Sequence, residues 1–197
     1  MISRTIFARA VMAAALCLLA ACRVLPTSNI DAVVRTEQAA FALESRFAVS
    51  DGEHAANAKL EWRHARDGNQ WTLLSPFGQI VARLEDGPAG AALQLADGKR
   101  WHATTAAELL PALLPELADA GLPHERLPRW VQAAPHAEAE VRTLDDIGRP
   151  ALVIDRGWRI EYFAYASDDP AALPQRLDIS RGEFRLRLII DVWHTTQ

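Results

Sequence analysis

The groups in this chain able to do covalent or acid–base work are two cysteines, six histidines and 25 carboxylates among 197 residues. Their spacing decides what they can do. The histidines stand at 54, 64, 102, 124, 136 and 194, and no pair has a spacing that holds a metal. Ser75 precedes Pro76 instead of sitting in a Gly-x-Ser-x-Gly elbow, so it reads as a turn residue. No glycine loop is arranged to cradle phosphate. Glu37 with Glu44, and Asp145 with Asp146, are the nearest approach to paired carboxylates, and both fit a solvated surface. These residues predict no enzyme, no metal and no cofactor.

One thiol has a chemistry of its own. Arg4 and Arg9 open the chain, and Ala10 to Ala21 forms a 12-residue apolar run. That is too short to cross a bilayer comfortably and right for a signal peptide. It ends in Leu19-Ala20-Ala21-Cys22, which resembles the bacterial lipobox: cleavage precedes the cysteine, and its thiol takes a diacylglycerol. The bland reading is an ordinary secretion signal with a chance cysteine. On the lipobox reading, residues 1–21 are the signal peptide and 22–28 a lipid-anchored tether. Cys17 is discarded and Cys22 consumed, so the mature chain keeps no thiol for a disulfide, although it enters an oxidising compartment. Losing two basic residues and no acidic one takes the formal charge from −4 to −6. Such a charge, with no basic stripe interleaved with aromatics, argues against nucleic acid.

Residues 29–197 read as one domain. A helix is expected from Asn29 or Asp31, with Ile30, Val33, Val34, Phe41 and Leu43 as its apolar positions and Ala39, Ala40 and Ala42 favouring it. A strand follows over residues 46–50. Leu60 and Trp62 alternate with Lys59, Glu61 and Arg63, the period of a half-buried strand. Asp67-Gly68, Asp86-Gly87 and Asp97-Gly98 punctuate further strands. Thr105 and Glu108 form a capping box ahead of Leu109, Leu110, Leu113, Leu114 and Leu117, a helix that Pro111 should kink or shorten. A third helix around residues 125–131 carries Leu127 and Trp130. Strands return near 139–145, 150–155, 158–165, 175–180 and 183–193. About eleven strands with hairpin-like links predict a mainly β, α+β fold: an open, strongly curved antiparallel sheet covered by three helices.

Two features of this layout concern binding. Ser75-Pro76-Phe77-Gly78 is a turn whose tip carries a large apolar residue, which either folds back onto the core or stands in solvent. Among the six tryptophans, Trp130 either faces an internal cavity or packs its helix on the sheet.

Together these residues resemble the LolB family, the outer-membrane lipoprotein receptors of Gram-negative bacteria. The resemblance runs over essentially all 197 positions. It is carried by the lipobox at Cys22, the strand ending in Trp62, Ser75-Pro-Phe-Gly78, Leu127-x-x-Trp130, Gly157-Trp158-x-x-x-Tyr162, Leu173-Pro174 and the last strand through Trp193. It implies an open barrel of eleven strands, a three-helix lid and an apolar cavity between them, with Trp62, Leu109, Leu113, Leu127 and Trp130 as expected lining. It implies a monomer that accepts triacylated lipoproteins from the periplasmic carrier LolA and inserts them into the outer membrane. The protein itself would sit on the periplasmic face of that membrane, anchored through Cys22. Arg23 where inner-membrane lipoproteins carry Asp agrees with that address. The resemblance also implies an exposed Phe77 in a membrane-insertion loop of Pro76, Phe77 and Gly78. Phe77 replaces the family's usual Leu, and Pro111 interrupts a lid helix. A sensor of mislocalised lipoproteins with the same fold is the alternative, and a lipid hydrolase a third that lacks its nucleophile.

Overall fold

A computed structural model describes residues 31–195, so Cys22, the signal peptide and the tether lie outside the described residues. Eleven strands form one antiparallel sheet: β1 (Phe41–Ser50), β2 (Ala55–Ala65), β3 (Gly68–Leu74), β4 (Ile80–Gly87), β5 (Gly90–Leu95), β6 (Arg100–Ala103), β7 (Glu140–Leu144), β8 (Pro150–Asp155), β9 (Trp158–Tyr165), β10 (Pro174–Arg181) and β11 (Phe184–Thr195). Their order is β6-β5-β4-β3-β2-β1-β11-β10-β9-β8-β7. Every neighbour is a hairpin partner except β1 and β11, the first and last strands, which meet at the centre from Phe41↔Thr195 to Ser50↔Arg185. The barrel is open because β6 and β7, its two edges, do not pair. The chain between those edges, residues 104–139, crosses the concave side and supplies the lid.

Alternation decides which face is inside. In β1, Phe41, Leu43, Ser45, Phe47 and Val49 are buried while Glu44, Arg46 and Ala48 are exposed. Opposite residues in an antiparallel pair share a face, so Trp62 and Trp71, then Leu84 and Leu93, carry the apolar interior across the sheet. The outer face is polar. Arg46 is paired there with Asp191 and Arg187 with Asp178, each at 2.7–2.8 Å.

The first helix expected from the sequence is absent from the described residues. Residues 31–38 are irregular, and Phe41 to Ser45 belong to β1. Alanine propensity is worth tenths of a kcal/mol per residue. A central strand bonded on both sides, with five side chains buried, outweighs it. The lid also differs from three helices. It comprises a 3₁₀ turn at Ala106–Glu108, helix α1 (Leu110–Leu113), a 3₁₀ turn at Pro115–Leu117, another at His124–Arg126, and helix α2 (Leu127–Val131). Pro111, Pro115 and Pro128 each lie in the first turn of their short element, where the missing N–H does no harm. Each proline also forbids continuation of the element before it. Glu108 does reach back, accepting the Thr105 N–H at 3.1 Å, but it caps a single turn.

Candidate functional site

Between lid and sheet lies an apolar cavity of about 90 Å³. The lid contributes Leu110, Leu113, Leu114, Leu117, Leu122, Leu127 and Val131; the sheet contributes Phe47, Val49, Leu60, Trp62, Trp71, Leu73, Leu84, Leu186 and Leu188. His124 is the one polar side chain on this wall. Every other lining side chain is aliphatic or aromatic.

Three of the five expected lining residues, Trp62, Leu113 and Leu127, are on the wall, and two are not. Leu109 is buried beside the cavity while Leu110 faces it. The 3₁₀ turn before Leu109 and the restart at Pro111 rotate the face by one residue relative to a continuous helix. Trp130 is only 1% exposed and points away from the cavity, its ring centroid 5.9 Å from that of Trp158. Its indole N–H donates to Asp155 at 2.7 Å. Asp155, at the end of β8 and 0% exposed, also accepts both bonds from one Arg126 nitrogen, at 2.6 and 2.7 Å. The other Arg126 nitrogen bonds Glu138, and that bond is the main reason the Glu138 carboxyl is held down at about 2.

The lid is therefore attached unequally. Its α2 end is fixed by the Arg126–Asp155–Trp130 group, by the Tyr162 hydroxyl donating to the Trp130 carbonyl at 2.7 Å, and by Gln132 receiving the Gln38 N–H at 2.8 Å. Residues 105–122 rest on leucines. Among the described residues, the Arg181 guanidinium on the Ala120 carbonyl is their one side-chain hydrogen bond to the sheet.

Phe77 stands at the far tip of the β3–β4 hairpin, 92% exposed. Gly78 N–H donates to the Ser75 carbonyl at 2.9 Å, and Ser75 N–H to the Gln79 carbonyl at 2.8 Å. With Gly78 at φ +83°, this is a three-residue loop of Pro76, Phe77 and Gly78, closed by a left-handed glycine. Both ends of the loop are bonded, so Phe77 is held away from the core. Ile80 and Val81, just behind it, are also exposed.

The site thus has two parts, an apolar cavity under the lid and an exposed apolar finger at a hairpin tip. The model of the LolB family, described as outer membrane lipoprotein LolB, matches residues 39–193. The chain belongs to the LolB family. An outer-membrane lipoprotein LolB from Azoarcus sp. is 46% identical over 96% of this chain and 98% of its own. Another, from Dechloromonas aromatica, is 34% identical over 79% and 82%. Among solved structures, a LolA superfamily protein from Nitrosomonas europaea is similar with a TM-score of 0.48 and 8% identity, over 83% of this chain and 89% of that one. Several lining residues were open to the sequence only through strand parity. Phe47, Val49, Leu186 and Leu188 all follow the period-two rule of their strands.

Proposed function

We propose that this protein is an outer-membrane lipoprotein receptor. It accepts the acyl chains of a triacylated lipoprotein from the carrier LolA, shelters them beneath the lid, and delivers them to the inner leaflet of the outer membrane. It acts as a monomer on the periplasmic face, held by lipid on Cys22. The observation that carries this reading is the pairing of an apolar cavity with Phe77 fixed in solvent at a hairpin tip.

Energy sets the requirements. An acyl chain of about sixteen carbons at ~0.8 kcal/mol per methylene needs on the order of 12 kcal/mol of shelter from water. The cavity of about 90 Å³ is smaller than a protein cavity of ~150 Å³ that holds a single benzene. Loading therefore requires the lid to move, and the leucine-held α1 half is the part free to do so. Insertion of the Phe77 ring contributes about 1.5–3 kcal/mol towards membrane contact. No step calls for bond chemistry.

The test loads LolA with a fluorescent triacylated lipoprotein and adds the chain from residue 23 onward, with and without liposomes. Transfer to the protein, then to liposomes, is expected, with Phe77→Glu accepting normally and delivering poorly. Acceptance without onward delivery by the parent protein identifies a sensor or sink, and no acceptance overturns the reading.

A further inference from the structure

The finger is not isolated. Leu74 and Ile80 pair on the outer face at its base, and Lys59 lies opposite Leu74. The next row across the same face runs Glu61, Thr72, Arg83, Gln94 and Arg100. The β5–β6 turn beside it carries Lys99, which is paired with Asp97 at 2.8 Å. Lys59, Arg83 and Arg100 are exposed and enter no ion pair among the described residues. With Arg63 and Glu85 in the row behind, five cations against Glu61, Glu85 and Asp97 make this surface positive in a chain whose formal charge is −4.

We propose that the outer face of β2 to β6 behind Phe77 docks on the headgroups of anionic phospholipids. The inference rests on the reading of Phe77 as a membrane finger. Its geometry matches a bilayer edge. From Ile80 to Arg83 is three residues, or about 10 Å along a strand, and the headgroup layer on each side of a bilayer is about 5–8 Å thick. With Phe77 and Ile80 at the hydrocarbon boundary, the row of Arg83 and Arg100 lies at the outer phosphates. A groove of about 290 Å³ joins the two levels, with Leu74 and Ile80 towards the finger and Thr72, Arg63 and Arg83 behind. Apolar then cationic is the order in which a phospholipid presents its chains and its phosphate. Glu61 faces the same groove and lowers the charge without reversing it.

The sheet and its core lie within residues 31–195, so the chain from residue 23 is used to avoid a lipid anchor of its own. Its affinity is measured for vesicles of phosphatidylcholine alone and of phosphatidylcholine with phosphatidylglycerol, over a salt series. Binding to the anionic vesicles is expected to be tighter and to fade with salt. Replacing Lys59, Arg83 and Arg100 by Gln together should weaken it by about fivefold per cation, on the order of 100-fold for the three. It should leave binding to phosphatidylcholine unchanged. A control neutralising Arg142, Arg156 and Arg159 on the other half of the sheet should bind as the parent does. A charge-keeping variant (Lys59→Arg, Arg83→Lys, Arg100→Lys) must also bind as the parent, which separates lost charge from a damaged fold. Equal affinity of the Gln variant, or equal affinity for the two vesicle types, overturns the docking surface. Lipoprotein delivery into phosphatidylcholine vesicles, read in parallel with Phe77→Glu, shows separately whether the finger reading stands.

Discussion

The group that anchors the lid permits a quantitative test. Asp155 accepts three hydrogen bonds, two from Arg126 and one from the Trp130 indole, and Arg126 itself is only 5% exposed. Asp155→Leu leaves a buried guanidinium with Glu138 alone and an indole N–H with no acceptor. Removing one partner of a buried pair costs about 3–5 kcal/mol, and an unsatisfied buried donor about 1–3 kcal/mol. Glu138 still serves half the guanidinium, so the net loss should be near 4 kcal/mol. At a urea slope of about 2 kcal/mol/M that lowers the unfolding midpoint by roughly 2 M. Tryptophan fluorescence follows the transition, because Trp130 and Trp158 are buried against each other, their rings 5.9 Å apart and tilted by 48°. The double variant Arg126→Met, Asp155→Leu, with neither charge left, should regain the share due to the unpaired guanidinium while the Trp130 indole stays without an acceptor. A single variant less than about 1 kcal/mol below the parent, or a double variant no better than the single, refutes the reasoning.

Three further outcomes follow from particular positions. Gly68→Ala should destabilise by several kcal/mol, since its Cβ would meet the Asp86 carbonyl oxygen at 2.0 Å; Gly78→Ala, with nothing within 4 Å, should cost about 1 kcal/mol of backbone strain, and equal urea midpoints would contradict this. Leu113→Phe places a larger side chain on the cavity wall, so folded stability should hold while a fluorescent fatty acid binds about 5–150-fold more weakly, from 1–3 kcal/mol of overpacking in the loaded state; unchanged affinity would place the chains elsewhere. Thermal stability should fall on acidification in two stages. Burial, then the Arg126 charge, keep His136 below its ordinary 6.5, so its contribution is complete above pH 6.5 and lost as the pH drops through its lowered folded value. The contribution of Glu138 is complete above 4.5 and lost towards about 2. His136→Gln should erase the first stage only.

The strands were legible because burial on one face imposes a period of two, and turn pairs such as Asp67-Gly68 and Arg156-Gly157 mark the ends. Arg156 and Gly157 both take positive φ, at +49° and +81°, as a two-residue hairpin requires. The strand expected at 46–50 is the second half of β1; its first half, Phe41 to Ser45, was hidden by alanines whose local preference conflicts with pairing on both sides. In the lid, the leucines identified its apolar face, but three prolines set the register. That is why Leu110, and not Leu109, reaches the cavity. Trp130 was beyond local reading. Its partner Asp155 is 25 residues away, and only the folded lid brings them together. Phe77 was visible as an anomaly, and its direction depended on hydrogen bonds at the two ends of its loop.

The meeting of β1 with β11 has a consequence for how this chain folds. Nine of the ten strand pairings are hairpins that could zip locally, yet the contact at the middle of the sheet joins residues about 150 apart, as in Phe41↔Thr195. Closing a loop of that length, against one of about ten residues, costs roughly 2.4 kcal/mol more, at about 0.6 per doubling. The two halves, β1 to β6 and β7 to β11, can each form early, but neither buries its inner edge until the last strand arrives. A chain emerging from the ribosome thus stays half-assembled until β11 is made. Circular permutation gives the counterpart: joining residue 195 to 41 and opening the chain within residues 104–139 turns the same sheet into an unbroken meander from β7 to β6. That permutant should fold faster, at the expense of a severed lid.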